Sequence, residues 1–146
     1  MKYLRLNLWG MALIALALFT ACDNDDDKSP GIEMVDFGAS PSSALISTGE
    51  VNVITENTVR YHTFNFDVAP YTVTLVETKN NIVIVDLGPA PVFADELKTY
   101  VDEINKPGAV IITHNHGDHY GGAGSFTDWD FYAETAVANQ LNNTED

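Results

Sequence analysis

The chain has a single cysteine in 146 residues, Cys22, so no disulfide can form within it. Basic residues are scarce. Seven lysines and arginines stand against 21 aspartates and glutamates, a formal charge of −14. Such a surface repels phosphate backbones, which excludes nucleic acid as a partner. It also opposes adsorption to an anionic lipid surface. No apolar run reaches the roughly twenty residues of a membrane-spanning helix; the longest, Leu8 to Phe19, stops at about a dozen. No internal repeat is visible. Histidine is rare as well, four in all, and three of the four fall in one short stretch.

That stretch is Thr113-His114-Asn115-His116-Gly117-Asp118-His119-Tyr120-Gly121-Gly122. Imidazole and carboxylate are the ligands that zinc and similar first-row ions take. The apolar run Ala109 to Ile112 just upstream reads as a buried strand. The two glycines downstream allow tight turning and close packing. The ligands therefore sit on a loop at the carboxyl end of a strand, where open α/β sheets place their chemistry. His114 and His116 are two apart and share a side in extended backbone. Asp118 and His119 are adjacent, so both turn toward a second ion only if the chain curls after Gly117.

This H-x-H-x-D-H pattern followed by Gly-Gly resembles the signature of the metallo-β-lactamase-fold hydrolases. The resemblance covers about Val51 to Asn142. It implies an α/β domain (α+β by some schemes), the N-terminal half of an αββα sandwich with a mixed sheet and flanking helices. It further implies a metal-dependent hydrolase acting on a small-molecule substrate. His114 and His116 would serve a first ion, Asp118 and His119 a second. Asp118 would also orient the attacking water, and it is the candidate catalytic residue. One or two zinc ions are expected, with iron or manganese as alternatives. The family's substrates include β-lactams, thioesters, lactones, phosphodiesters and sulfate esters, and fold does not choose among them. Histidine at 116, where electron-transfer members commonly carry an acidic residue, argues for hydrolysis. Asp86, in Asp86-Leu87-Gly88 after a strand, resembles the family's buttress beneath the metal loop. A carboxylate there orients ligand histidines without touching the ion.

The N-terminus reads as a targeting segment. Lys2 and Arg5 precede the apolar run, which ends in Leu18-Phe19-Thr20-Ala21-Cys22. Small residues before a lone cysteine resemble the lipobox of bacterial lipoproteins, although Phe19 stands where leucine is usual. The resemblance implies a signal at 1–21 and lipidation on Cys22. The mature protein would then be membrane-anchored, facing the periplasm or displayed at the cell surface. Loss of Lys2 and Arg5 takes the formal charge to −16. The acidic run Asp23 to Asp27 resembles the surface-export signal of some outer-membrane lipoproteins and equally suits a plain spacer. Residues 22–50 read as a tether, acidic first and then rich in serine, proline and glycine.

The folded part, 51–146, is expected to begin near Val51. Val59–Phe66 and Tyr71–Thr78 alternate as half-buried strands. His62 reads as a packed or strand-surface histidine rather than a ligand. Lys79-Asn80-Asn81 suits a tight turn with left-handed asparagine. Ile82–Val85 reads as a strand buried on both faces. Val92–Asn105 has helical spacing in Phe93, Leu97, Tyr100, Val101 and Ile104, with Asp95 and Glu96 in its first turn and Pro107-Gly108 as its stop. A helix across Gly121–Phe126, a strand at 131–133 and a helix over 134–142 complete the pattern. Trp129 and Tyr132 read as packing residues.

The family domain is about twice this long. Its second half supplies a histidine completing the first ion, an aspartate bridging the two ions and a last histidine for the second. No histidine follows His119 here. The expectation is a truncated, weakly active or inactive piece of a hydrolase. A non-catalytic, surface-anchored lipoprotein with a relic metal loop is the alternative. No protein partner is evident.

Overall fold

A computed structural model describes residues 32–67 and 71–142. The signal segment, Cys22 and the acidic run lie outside the described residues. Within them, no helix is long and apolar enough to cross a membrane.

Six strands form one mixed sheet in sequential order: β1 Gly49–Glu56, β2 Val59–Phe66, β3 Thr72–Glu77, β4 Ile82–Val85, β5 Gly108–Ile112 and β6 Asp130–Ala133. The first four run antiparallel; β5 and β6 lie parallel to β4 and to each other. The switch from hairpins to crossovers follows the sequence. Short turns join β1 to β4, while α1, Pro91–Ile104, carries the chain back from β4 to β5. A single helical turn α2, Gly117–Tyr120, and a 3₁₀ turn, Ala123–Phe126, lead from β5 to β6. The helix α3, Thr135–Asn142, follows β6.

Strand alternation decides which residues meet α1. His62, Phe64 and Phe66 on β2, Val73 and Leu75 on β3, Ile82 and Ile84 on β4, and Val110 and Ile112 on β5 are buried on one face. Phe93, Ala94, Leu97, Tyr100 and Val101 of α1 pack onto them. Their spacing keeps one side of the helix apolar. The expectation that β4 is buried on both faces is corrected here. Val83 and Val85 are only half-buried, and Ile111 beside Val85 is 39% exposed. Helix α1 covers one face, while Tyr61, Val76, Val83 and Ile111 stand on the other.

Several local expectations also change. Helix α1 starts at Pro91, so Asp95 and Glu96 fall in its second turn. Asn105 in left-handed backbone (φ 54°) ends it before Pro107 is reached. The turn between β3 and β4 closes through Thr78 and Asn81 with no left-handed residue. The helix expected across Gly121–Phe126 is a 3₁₀ turn at Ala123–Phe126, and the α-helical turn α2 falls before it.

The tether expected over 22–50 is not solvated throughout. Ile46 is buried, and the Phe37 ring lies 5.0 Å from the Arg60 guanidinium carbon. Arg60 donates to the carbonyls of Phe37 and Gly38 and to Ser40 Oγ. Ser47 and Thr48 donate backbone and hydroxyl hydrogens to Glu96 of α1. Burial alone would push the Glu96 carboxyl up, but these hydrogen bonds outweigh it and hold the group below its ordinary value. So the folded unit begins before Gly49, held by buried Ile46 and by polar contacts to Arg60 and Glu96.

Candidate metal centre

Strand β5 ends at Ile112, and the next residues cross the carboxyl end of the sheet. Asp86 stands one strand away, just past the end of β4. Its N–H donates to the Ile111 carbonyl at 2.9 Å, and its backbone is left-handed, with φ 62°. Aspartate tolerates that conformation better than most residues. The turn directs the carboxylate at the loop. Oδ1 accepts from the Thr113 N–H at 2.9 Å, and the Thr113 hydroxyl lies 3.0 Å from Oδ1 and 2.8 Å from Oδ2. His119 Nδ1 lies 2.8 Å from Oδ2. The carboxylate thus spans both ends of the loop.

Helix α2 supplies the curl after Gly117. His116 caps it in extended backbone, and the His119 N–H donates to the His116 carbonyl at 2.9 Å. The His119 carbonyl accepts from the Leu87 N–H at 2.8 Å, tying α2 to the loop after Asp86. The glycine pair is needed for close approach. A Cβ on Gly121 would stand 2.1 Å from the Pro89 oxygen, and one on Gly122 would stand 2.3 Å from Ala94 Cβ. Both packings press α2 onto the loop and onto α1.

These constraints gather the side chains. The His114 ring centroid is 4.6 Å from that of His116 and 3.8 Å from that of His119. Asp118 and His119 face the same space, with Oδ2 to Nε2 at 3.4 Å. Two ligands on one tetrahedral zinc stand about 3.3 Å apart, given metal–ligand bonds of about 2.0–2.1 Å. The donor set therefore fits a first-row ion, and the Asp118–His119 pair already has the spacing of a chelate. Because Nδ1 of His119 is spent on Asp86, Nε2 is its free ligand atom. The three rings pack on one another rather than spreading around a point, and among the described residues no three such groups converge as an ion cage. Gathering is built in; spreading takes side-chain rotation.

A cleft of about 210 Å³ opens beside the pair, lined by Tyr71, Thr72, Asp86, Gly88, Asp118 and His119. A larger hollow of about 460 Å³ lies toward the other end of the sheet, by Lys98, Asp102, Lys106 and Trp129. It contains no histidine, and its lysines are paired with Asp102 and Glu77. The candidate metal ligands Asp118 and His119 line the smaller cleft.

His62 takes no part in the loop. It is wholly buried, with Nε2 3.0 Å from Glu77 and Nδ1 2.9 Å from the Tyr100 hydroxyl. Burial lowers its pKa, and the hydrogen bond to Glu77 only partly reverses this. Burial also pushes Tyr100 up to about 12. Glu77 itself binds Arg60, Lys106 and His62, and their hydrogen bonds outweigh burial and hold its carboxyl low. The sequence reading missed this cluster, although strand parity carried the signal. Glu77 follows Val73 and Leu75 on the buried face of β3, and Arg60 precedes His62 and Phe64 on that of β2.

A mixed sheet that carries a histidine-rich loop at the end of a parallel strand defines an α/β protein with a candidate metal centre. The chain belongs to the metallo-beta-lactamase superfamily, which residues 67–144 match, more than half its length. Its fold is similar to that of DIM-1 metallo-beta-lactamase exposed to ceftazidime, with TM-score 0.52 and 18% identity, over 68% of this chain and 49% of that one. It is also similar to a metallo beta lactamase from Hirschia baltica, with TM-score 0.51 and 22% identity, over 64% and 48%. At these identities the likeness concerns the fold alone. The chain spans about half the length of these solved structures. No curated protein matches it.

Proposed function

We propose that the loop at 114–119 is the ligand set of a zinc-dependent hydrolase. The observation that carries the reading is the 3.4 Å pairing of Asp118 with His119 while Asp86 holds the other nitrogen of His119. Bound there, zinc supplies Lewis acidity, which polarises a substrate oxygen and acidifies water. His114 and His116 hold one ion and Asp118 and His119 a neighbour; iron and manganese suit the same donors less well than zinc. Asp118 also presents an oxygen to orient the attacking water. Asp86 fixes the direction of His119, and the Tyr71–Thr72 wall bounds the space for substrate. The described lysines and arginine, Arg60, Lys79, Lys98 and Lys106, all lie away from this cleft. The electrophile is an ester, thioester, lactam, phospho-ester or sulfo-ester, among which the fold does not choose.

The reading extends to cellular placement. The protein is exported, lipidated on Cys22 and anchored in a membrane, facing the periplasm or the outside. Labelling with a radioactive fatty acid should mark the natural chain and miss Cys22→Ser; equal labelling of both removes the anchor. For the chemistry, the mature protein purified from its own envelope should hydrolyse a member of an ester, thioester, lactam and phosphodiester panel. Turnover that survives both chelation and His116→Ala overturns the hydrolase reading. Complete inactivity on the panel with zinc bound would favour a non-catalytic anchored module.

A further inference from the structure

The Thr113 hydroxyl touches three acceptor-capable atoms: Asp86 Oδ1 at 3.0 Å, Asp86 Oδ2 at 2.8 Å and His114 Nδ1 at 3.0 Å. A hydroxyl has one proton to give, and an ionised carboxylate only accepts. The proton therefore goes to Asp86. What Thr113 has left toward His114 is a lone pair, and the contact is satisfied only if Nδ1 carries the hydrogen. A neutral imidazole protonated on Nδ1 presents a bare Nε2. His119 reaches the same state directly, with Nδ1 donating to Asp86 Oδ2 at 2.8 Å. Two histidines of the loop thus receive their tautomer from one carboxylate, one by contact and one through a hydroxyl.

We propose that Thr113 is a positioning residue that transmits the polarity of Asp86 to His114 and so exposes Nε2 of His114 to a metal ion. The inference rests on the ligand reading of the loop and adds a residue that the spacing of histidines does not reveal. Thr113 itself touches neither metal nor substrate. A purely structural Thr113 would hold the loop through its N–H bond to Asp86, which any residue but proline at 113 leaves in place. The hydroxyl contributes something separable from that bond.

The test reads tautomers directly. Ring nitrogens of ¹⁵N-histidine-labelled mature chain are observed by NMR without metal at about pH 8, where an ordinary imidazole is neutral. The natural chain and Thr113→Ser should show His114 protonated on Nδ1. Thr113→Val should show a mixture, and its zinc affinity should fall about 10- to 100-fold, the usual effect of losing a group that orients a ligand. Asp86→Asn is the second probe. The amide donates to Thr113, the hydroxyl is then free to donate to His114, and the proton of His114 should move to Nε2 although Thr113 is unchanged. A single Nδ1–H tautomer at His114 in Thr113→Val overturns the proposal. So does an unchanged His114 in Asp86→Asn, should Thr113→Val not fold. Neither readout uses turnover, so a chain that hydrolyses nothing yet shows the coupling would remove the hydrolase reading and keep this one.

Discussion

The carboxylate of Glu77 lies 2.8 Å from the Arg60 guanidinium, and both side chains are almost wholly out of water. His62 and Lys106 share the same carboxylate at 3.0 and 2.6 Å. Arg60, His62 and Lys106 all converge on this one carboxylate. Glu77→Gln keeps the shape and removes the charge, leaving two cations facing a neutral amide. Removing one member of a buried ion pair costs about 3–5 kcal/mol. Urea unfolding should show a loss in that range with little change in slope. A loss below about 1 kcal/mol would mean that water reaches Arg60 and that the cluster is not dry.

His62 couples this cluster to pH. Its folded pKa is lowered from 6.5, chiefly by burial, so the unfolded chain takes up the proton first. Stability is then full above pH 6.5 and falls as pH drops below it toward the lowered folded value. Glu77 is lowered from 4.5 and adds a second loss as pH falls below 4.5. The ring nitrogens of His62 should stay in their neutral form below pH 6.5, with Nε2–H toward Glu77. A His62 that titrates at or above 6.5 contradicts the buried arrangement. In that case the first loss of stability should also be missing.

A chain starting at Val51 should be markedly less stable than one starting at Val35. The shorter chain loses the buried Ile46 and the Ser47 and Thr48 hydrogen bonds to Glu96. It also leaves Arg60 without Phe37, Gly38 and Ser40. At about 1 kcal/mol for each hydrogen bond and about 1.5–3 for a buried isoleucine, the loss should exceed about 3 kcal/mol. Equal urea midpoints would return residues 35–48 to the role of a tether.

Much of this architecture was legible because burial and periodicity agree. Alternation marked β2 and β3, the spacing of Phe93, Leu97 and Tyr100 marked α1, and the histidine spacing marked the loop. Other features were hidden for physical reasons. Strand β1 is an edge strand whose residues are mostly exposed, so it carries little apolar pattern. Apart from Ile46 and the Phe37 ring, the docking of residues 35–48 uses backbone carbonyls and hydroxyls, which look the same in a free linker. Arg60 and Glu77 are charged residues at buried positions, where a residue-type argument places water. The apolar run 82–85 suggested two covered faces, and only the face toward α1 is closed. The role of Thr113 depends on where Asp86 points, and that needs the left-handed turn at 86.

The central claim is that His114, His116, Asp118 and His119 bind metal as two pairs. Isothermal titration of zinc into the mature chain tests it most directly, with hydrolysis of the ester and lactam panel followed on the same sample. The account expects specific zinc binding that His116→Ala and His119→Ala each reduce, with turnover that follows the bound zinc. Zinc binding unchanged in a chain lacking both His116 and His119 would contradict the site.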